Sequence, residues 1–148
     1  MRKIKKITNS SLLILTLCFF ISCKQEGLQE KITYDKDGEL EEISYTKSGK
    51  NNGMSVSFHS NGAVSSISYF KDDKPTLIYN GFYEGGQLLM KGKLKNDLQE
   101  DLWTWYYSNG ELMKKGHFKN GIRVGMWYHY SKEGKLVEEE DCKDGVED

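Results

Sequence analysis

Leu102-Trp-Thr-Trp-Tyr-Tyr107, then Ser108-Asn-Gly110, then Glu111-Leu-Met-Lys-Lys-Gly-His-Phe118, then Lys119-Asn-Gly121: this stretch is two aromatic and aliphatic runs, each closed by Asn-Gly. Asn-Gly supplies the positive φ that tight hairpin turns need, so the stretch predicts a β-hairpin followed by another turn. The stretch is one copy of a 24-residue unit. Residues 30–53, 54–77, 78–101, 102–125 and 126–148 align without a gap and place Gly38, Gly62, Gly86, Gly110 and Gly134 at one phase. A fixed period of this size marks an array in which each unit is a small supersecondary element. The first turn recurs as Asp37-Gly38, Asn61-Gly62, Gly85-Gly86 and Glu133-Gly134. The second recurs as Ser48-Gly49, Asp72-Asp73, Asn96-Asp97 and Asp144-Gly145. Apart from Glu133, these are turn-forming residues. Pro75, the only proline, is expected in a connector. The predicted fold is all-β: an elongated, single-layer antiparallel meander of five hairpins and ten strands, roughly 45 Å long at the usual strand spacing.

Columns of the alignment suggest which face is packed. One is aromatic throughout (Tyr34, Phe58, Phe82, Tyr106, Tyr130) and one aliphatic throughout (Leu40, Val64, Leu88, Leu112, Leu136). The two flank the glycine turn and are expected to meet as cross-strand pairs, stacked into a ladder. A third column, Thr46, Phe70, Leu94, Phe118 and Cys142, reads as mostly apolar, with Cys142 a small buried hydrophobe. If Tyr106 points into this packing, Trp103, Trp105 and Tyr107 point to the other face. Trp127, Tyr79 and Tyr83 share those phases, and aromatics not needed for the ladder suit contact with a protein or a glycan. The same residues also fit a thin sheet packed on both faces, and the assignment inverts if the ladder faces solvent. Lysine recurs at one phase in all units, Lys47, Lys71, Lys95, Lys119 and Lys143. Such a row fits contact with an anionic surface; it equally solvates the turns and protects the sheet rim.

The chain opens differently. Arg2, Lys3, Lys5 and Lys6 precede the apolar run Ser11–Ser22, which is too short to span a bilayer and reads as an export signal over residues 1–22. Its end, Phe20-Ile21-Ser22-Cys23, resembles a lipobox, which implies lipid on Cys23. Residues 23–29 then form a polar tether. Removal of four positive charges takes the net charge from −1 to −5, with acids gathered at Glu138–Asp141, Asp144, Glu147 and Asp148. A nucleic-acid partner is therefore not expected. With Cys18 removed and Cys23 lipidated, Cys142 stands alone and no disulfide framework is expected.

Catalytic patterns find no footing. His59, His117 and His129 fall in three different columns, without the paired spacing of a metal site. No glycine-rich loop leads into a helix, so no phosphate cradle is expected. The sequence predicts no enzyme, no cofactor and no metal.

Trp103, Tyr106, Asn109, Gly110, Leu112, Lys119, Asn120, Gly121, Gly125, Trp127, Tyr130, Gly134 and Leu136 fall on a known pattern. It resembles the bacterial variant of the MORN repeat, strongly over 102–136 and loosely in the first two units. Ser55 and Lys31 stand there at the tryptophan phase, and Leu77 and Asp101 replace the glycine of Gly53 and Gly125. Bacterial arrays of this kind are often grouped as YwqK-type antitoxin or immunity proteins. The resemblance implies a binding module: a membrane-anchored lipoprotein that holds a protein partner, a toxin in the sharper version. The competing expectation is an envelope-associated scaffold or spacer resting on lipid headgroups or cell-wall polymer. The expected location is the bacterial cell envelope, with the outer membrane favoured because Lys24, not Asp, follows Cys23.

Overall fold

The structure, a computed structural model, describes residues 27–76 and 78–147, and side chains as far as Lys143. The expected signal segment, Cys23 and Leu77 lie outside the described residues. The described chain is all-β. Its strands are β1 (Gln29–Tyr34), β2 (Leu40–Lys47), β3 (Lys50–Phe58), β4 (Val64–Lys71), β5 (Lys74–Pro75), β6 (Tyr79–Phe82), β7 (Leu88–Lys95), β8 (Leu98–Tyr106), β9 (Leu112–Lys119), β10 (Ile122–Tyr130) and β11 (Leu136–Glu147). They form one open antiparallel sheet in chain order, with β5 off the path and paired to β4. The ten-strand meander holds. The eleventh strand exists because Pro75 splits one of the ten into β5 and β6, its ring fixing φ and removing a ladder donor. Pro75 thus sits, buried, in a strand fragment rather than in the expected connector.

Two turn types alternate. At one end of the sheet, two-residue turns take positive φ at both positions: Ser48-Gly49, Asp72-Asp73, Asn96-Asp97 and Asn120-Gly121. That geometry matches the right-handed twist of the flanking strands. At the other end the loops are wider. Gly110 donates to Tyr107 O at 2.9 Å and Tyr107 donates to Glu111 O at 2.8 Å, and Gly38, Gly62, Gly86 and Gly134 repeat the arrangement. This is a turn followed by one left-handed residue, so only the glycine needs positive φ. Asn109 instead links units through its side chain. Its Oδ1 accepts from Glu111 N at 3.2 Å while its Nδ2 donates to Lys132 O at 2.9 Å in the next unit. The tenth expected turn, Asp144-Gly145, does not form. β11 runs through it, held to β10 by the pairs Arg123–Val146 and Ile122–Glu147.

The predicted cross-strand pairs are in register: Tyr34–Leu40, Phe58–Val64, Phe82–Leu88, Tyr106–Leu112 and Tyr130–Leu136. They are not the core, however, and at the sheet's ends Tyr34 and Leu136 are exposed. The buried core consists of Trp103, Phe118, Trp127 and Cys142, with Tyr79, Met90, Leu94 and Trp105 packed against it. Phe118 and Cys142 come from the third predicted column.

Candidate functional site

A recurring bulge decides the burial. Between Lys91–Thr104 and Lys93–Glu100, β8 carries two more residues than β7. The same excess occurs in β3 against β2 and in β10 against β9. Each bulge contains one residue at positive φ: Gly53, Asp101 or Gly125. Asp101, the non-glycine, is held by Lys93 Nζ at 2.8 Å. The pairing lowers the pKa of the carboxyl and raises that of the ammonium, chiefly through their hydrogen bond.

Beyond the bulge, the next indole folds back over the preceding strand, where there is no side chain beneath it. A Cβ on Gly92 would lie 2.1 Å from the Trp103 ring, and one on Gly116 would lie 2.2 Å from Trp127. Such contact requires glycine. Trp103 Nε1 donates to Lys93 O at 3.1 Å, which locks the ring in place. A chain of rings results: Tyr79–Trp103 at 6.0 Å, Trp103–Trp105 at 5.8 Å, Trp105–Trp127 at 5.7 Å and Phe118–Trp127 at 5.0 Å edge-on. Cations close the far side, with Lys114 Nζ at 4.5 Å from the Trp105 centroid and the Arg123 guanidinium at 4.1 Å from Trp127.

The expected partner-binding aromatics therefore separate into two groups. Trp103 and Trp127 are 2% and 0% exposed, so this face is the packed one and the Tyr106 ladder is the more open, inverting the expected assignment. Tyr79 and Trp105 are half-buried against them. Tyr83 and Tyr107 lie elsewhere, in the wide loops, where their hydroxyls donate at 2.8 Å to Tyr106 O and Tyr130 O of the next unit. His59, at the same phase, places Nε2 2.9 Å from Phe82 O. These residues stitch neighbouring units together. Lys47, Lys71, Lys95 and Lys119 are exposed beside the two-residue turns, and Lys143, also exposed, lies 3.0 Å from Asp141.

The opposite face carries a feature that repeats. One cavity of about 450 Å³ is lined by Ile78, Lys91, Gly92, Lys93, Leu102 and Thr104. Another of about 230 Å³ is lined by Leu102, Lys115, Gly116, His117, Met126 and Tyr128, each residue 24 positions beyond its counterpart. Leu102 is shared, 46% exposed; Ile78 is 55% exposed. With Met54 and Met126 these residues form a solvent-facing apolar column two strands apart, ~9.6 Å per step. Lys91 Nζ lies 5.8 Å from the Tyr106 ring centroid and Lys115 Nζ 5.4 Å from that of Tyr128, so both ammoniums fold onto this face. A third cavity of about 510 Å³ opens around Pro75, shares Lys93 with the first, and is lined also by Lys71, Lys74 and Lys95. Among the described residues no group of His, Cys, Asp and Glu could hold a metal, and no helix is long and apolar enough to cross a membrane.

Residues 102–120, which supply two strands of this arrangement, match the MORN repeat variant family. The fourth unit of the array is thus similar to a MORN repeat. Comparison with curated proteins finds no match. Among solved structures, the chain is similar to one described as accessory secretory proteins 1, 2 and 3 of Streptococcus pneumoniae, at 17% identity and TM-score 0.39, over 70% of this chain and 19% of that one. It is similar also to the Glycosylation Associate Protein (Gap123) complex of Streptococcus agalactiae, at 17% identity and TM-score 0.42, over 78% of this chain and 21% of that one. It thus spans about a fifth of either chain. Within the array, sequence reasoning missed Ile78, Leu102, Met126, Lys91 and Lys115. The signal was present: the first position of the units, Glu30, Met54, Ile78, Leu102 and Met126, is apolar in four of five and belongs to neither ladder.

Proposed function

We propose that this MORN-type chain is a non-enzymatic binding module, tethered to a bacterial membrane by lipid on Cys23, that holds a protein partner on its pocketed face. The observation that carries the reading is the pair of cavities 24 residues apart, lined by the exposed Ile78, Leu102 and Met126. A soluble sheet packed on one side needs no apolar column on the other, and contiguous exposed apolar surface is where partners dock. Trp103 and Trp127, being buried, support the face from behind rather than touching the partner. Toxin neutralisation is the sharper version of this reading, and a secreted-toxin gene beside this one would support it.

The test is site-specific photo-crosslinking in cells. A photoreactive residue at Leu102 should trap a discrete protein that the same residue at Lys132, in a wide loop, does not. Equal trapping at both positions overturns the reading. The tether is tested separately: intact mass of the membrane fraction should show an acylated Cys23, and Cys23→Ala should release the protein. A second reading, an envelope spacer resting on lipid or polymer, is favoured by the exposed row Lys47, Lys71, Lys95 and Lys119. If it holds, Lys95→Gln with Lys119→Gln abolishes envelope association at low salt while Leu102→Ser does not.

A further inference from the structure

Resting on the proposal that the pocketed face binds protein, we infer that its occupant is an extended, polyproline-II-like segment with an apolar residue at every third position and acidic residues alongside. Three observations point to this chemistry.

The first is spacing. The cavities repeat every second strand, ~9.6 Å apart along the array. A polyproline-II chain advances ~9.3 Å per turn of three residues and returns the same edge each time. A β-strand presents one face every ~6.8 Å and misses alternate cavities. An α-helix reaches this spacing only by skipping two turns, ~10.5 Å, using one side chain in seven.

The second is charge. The column facing the groove reads Ile43, Ile67, Lys91, Lys115, Glu139, so positive charge is confined to the third and fourth units. Lys71, Lys74 and Lys95 outnumber Asp72 in the lining of the adjoining cavity, where Lys93 is already engaged by Asp101. This field disfavours two occupants. A second copy laid face to face with like units opposed sets lysine against lysine. The chain's own leading segment carries Arg2, Lys3, Lys5, Lys6 and Lys24 with no acid before Glu26.

The third is the position of the charges. Lys91 and Lys115 lie down over tyrosine rings, and the apolar groups line recesses. A flat anionic bilayer meets protruding side chains, whereas a peptide edge enters recesses.

The test uses the full chain in nanodiscs of zwitterionic lipid and fluorescence anisotropy of labelled probes. The probes are a Leu-Glu-Pro repeat peptide, a Leu-Lys-Pro repeat peptide and an amphipathic Leu/Glu helical peptide; vesicles containing phosphatidylglycerol are read by co-flotation. The Leu-Glu-Pro peptide should bind, and Leu-Lys-Pro should not. Leu102→Ser, at an exposed position, should weaken binding at least tenfold. Lys91→Gln with Lys115→Gln should weaken it several-fold at low salt and less at high salt. Failure of Leu-Glu-Pro to bind, or equal binding to the Leu102→Ser chain, overturns the inference. If the helical peptide binds instead and depends on Leu102, the extended-segment inference falls and the protein-binding face stands. If only the vesicles bind, both fall.

Discussion

The units before Pro75 and those after it share a backbone but not a core. Both halves have the two-residue turns, the wide glycine loops and the paired aromatic and aliphatic residues. Both halves have the bulge. At the tryptophan phase, however, the early half carries Ser55, buried and donating from Oγ to Glu42 Oε1, where the late half carries Trp103 and Trp127. Beneath these sit Ser44 in the early half and Gly92 and Gly116 in the late half. The backbone of a repeat can therefore be specified by its turns and bulges alone. The tryptophan–glycine pair is a separate device, which turns a hydrogen-bonded ribbon into one with a dry face.

The largest effect should come from removing that device. Trp127→Ala should cost about 3–5 kcal/mol, as for a buried aromatic in a packed core. Ser55→Ala, at the same phase, should cost only about 1 kcal/mol, the worth of one hydrogen bond. Denaturant unfolding of the two variants measures the contrast, and equal losses would break the comparison. Next is Gly116→Ala, which must push the Trp127 ring away. It should cost about 1–3 kcal/mol and change the near-ultraviolet circular dichroism of the indoles. A silent Gly116→Ala would mean that the ring does not lie against the strand.

A third prediction grades the array itself. Amide exchange should be faster before Pro75 than after it, because the early units lack the ring-to-ring contacts. Ser55→Trp combined with Ser44→Gly should slow exchange in β2–β4. Uniform protection along the wild-type chain would show the ladder to be one cooperative unit.

The smallest effect is electrostatic and confined to the junction of the last two units. Arg123 donates to Glu140 and lowers that carboxyl's pKa, with His129 3.6 Å away. A carboxyl lowered on folding stabilises the fold fully above its unfolded pKa, here near 4.5, and the contribution is lost as pH falls through the lower folded value. Protection of β10 and β11 should therefore fall on acidification below about pH 4.5, and this decline should be smaller in Glu140→Gln. Identical pH profiles would remove Arg123–Glu140 from the account.

Much of the fold was legible because it is local. Turn chemistry sits in two or three residues, and a period of 24 repeats it until the pattern is unmistakable. Tyr106 facing Leu112 follows from counting outward from Gly110, and Phe118 and Cys142 could be picked from a single apolar column. The candidate site was less legible, since alternation shows that Trp103 and Tyr106 lie on opposite faces without showing which face is packed. Trp103 and Trp127, which looked like contact residues, proved to be the core, and the uncovered apolar column ran through Ile78, Leu102 and Met126, in no ladder.

By itself, then, the sequence determined the period, the meander, nine of the ten turn positions and the cross-strand partners, all consequences of φ preferences and side-chain alternation over a few residues. Which face is buried was decided only in three dimensions. It depends on two extra residues in each bulged strand turning an indole onto the glycine of a neighbouring strand, Trp103 on Gly92 and Trp127 on Gly116. That meeting joins positions 11 residues apart through a hairpin, and no local preference records it. The pockets followed the same logic, because a cavity exists only where two strands from successive units have been brought side by side.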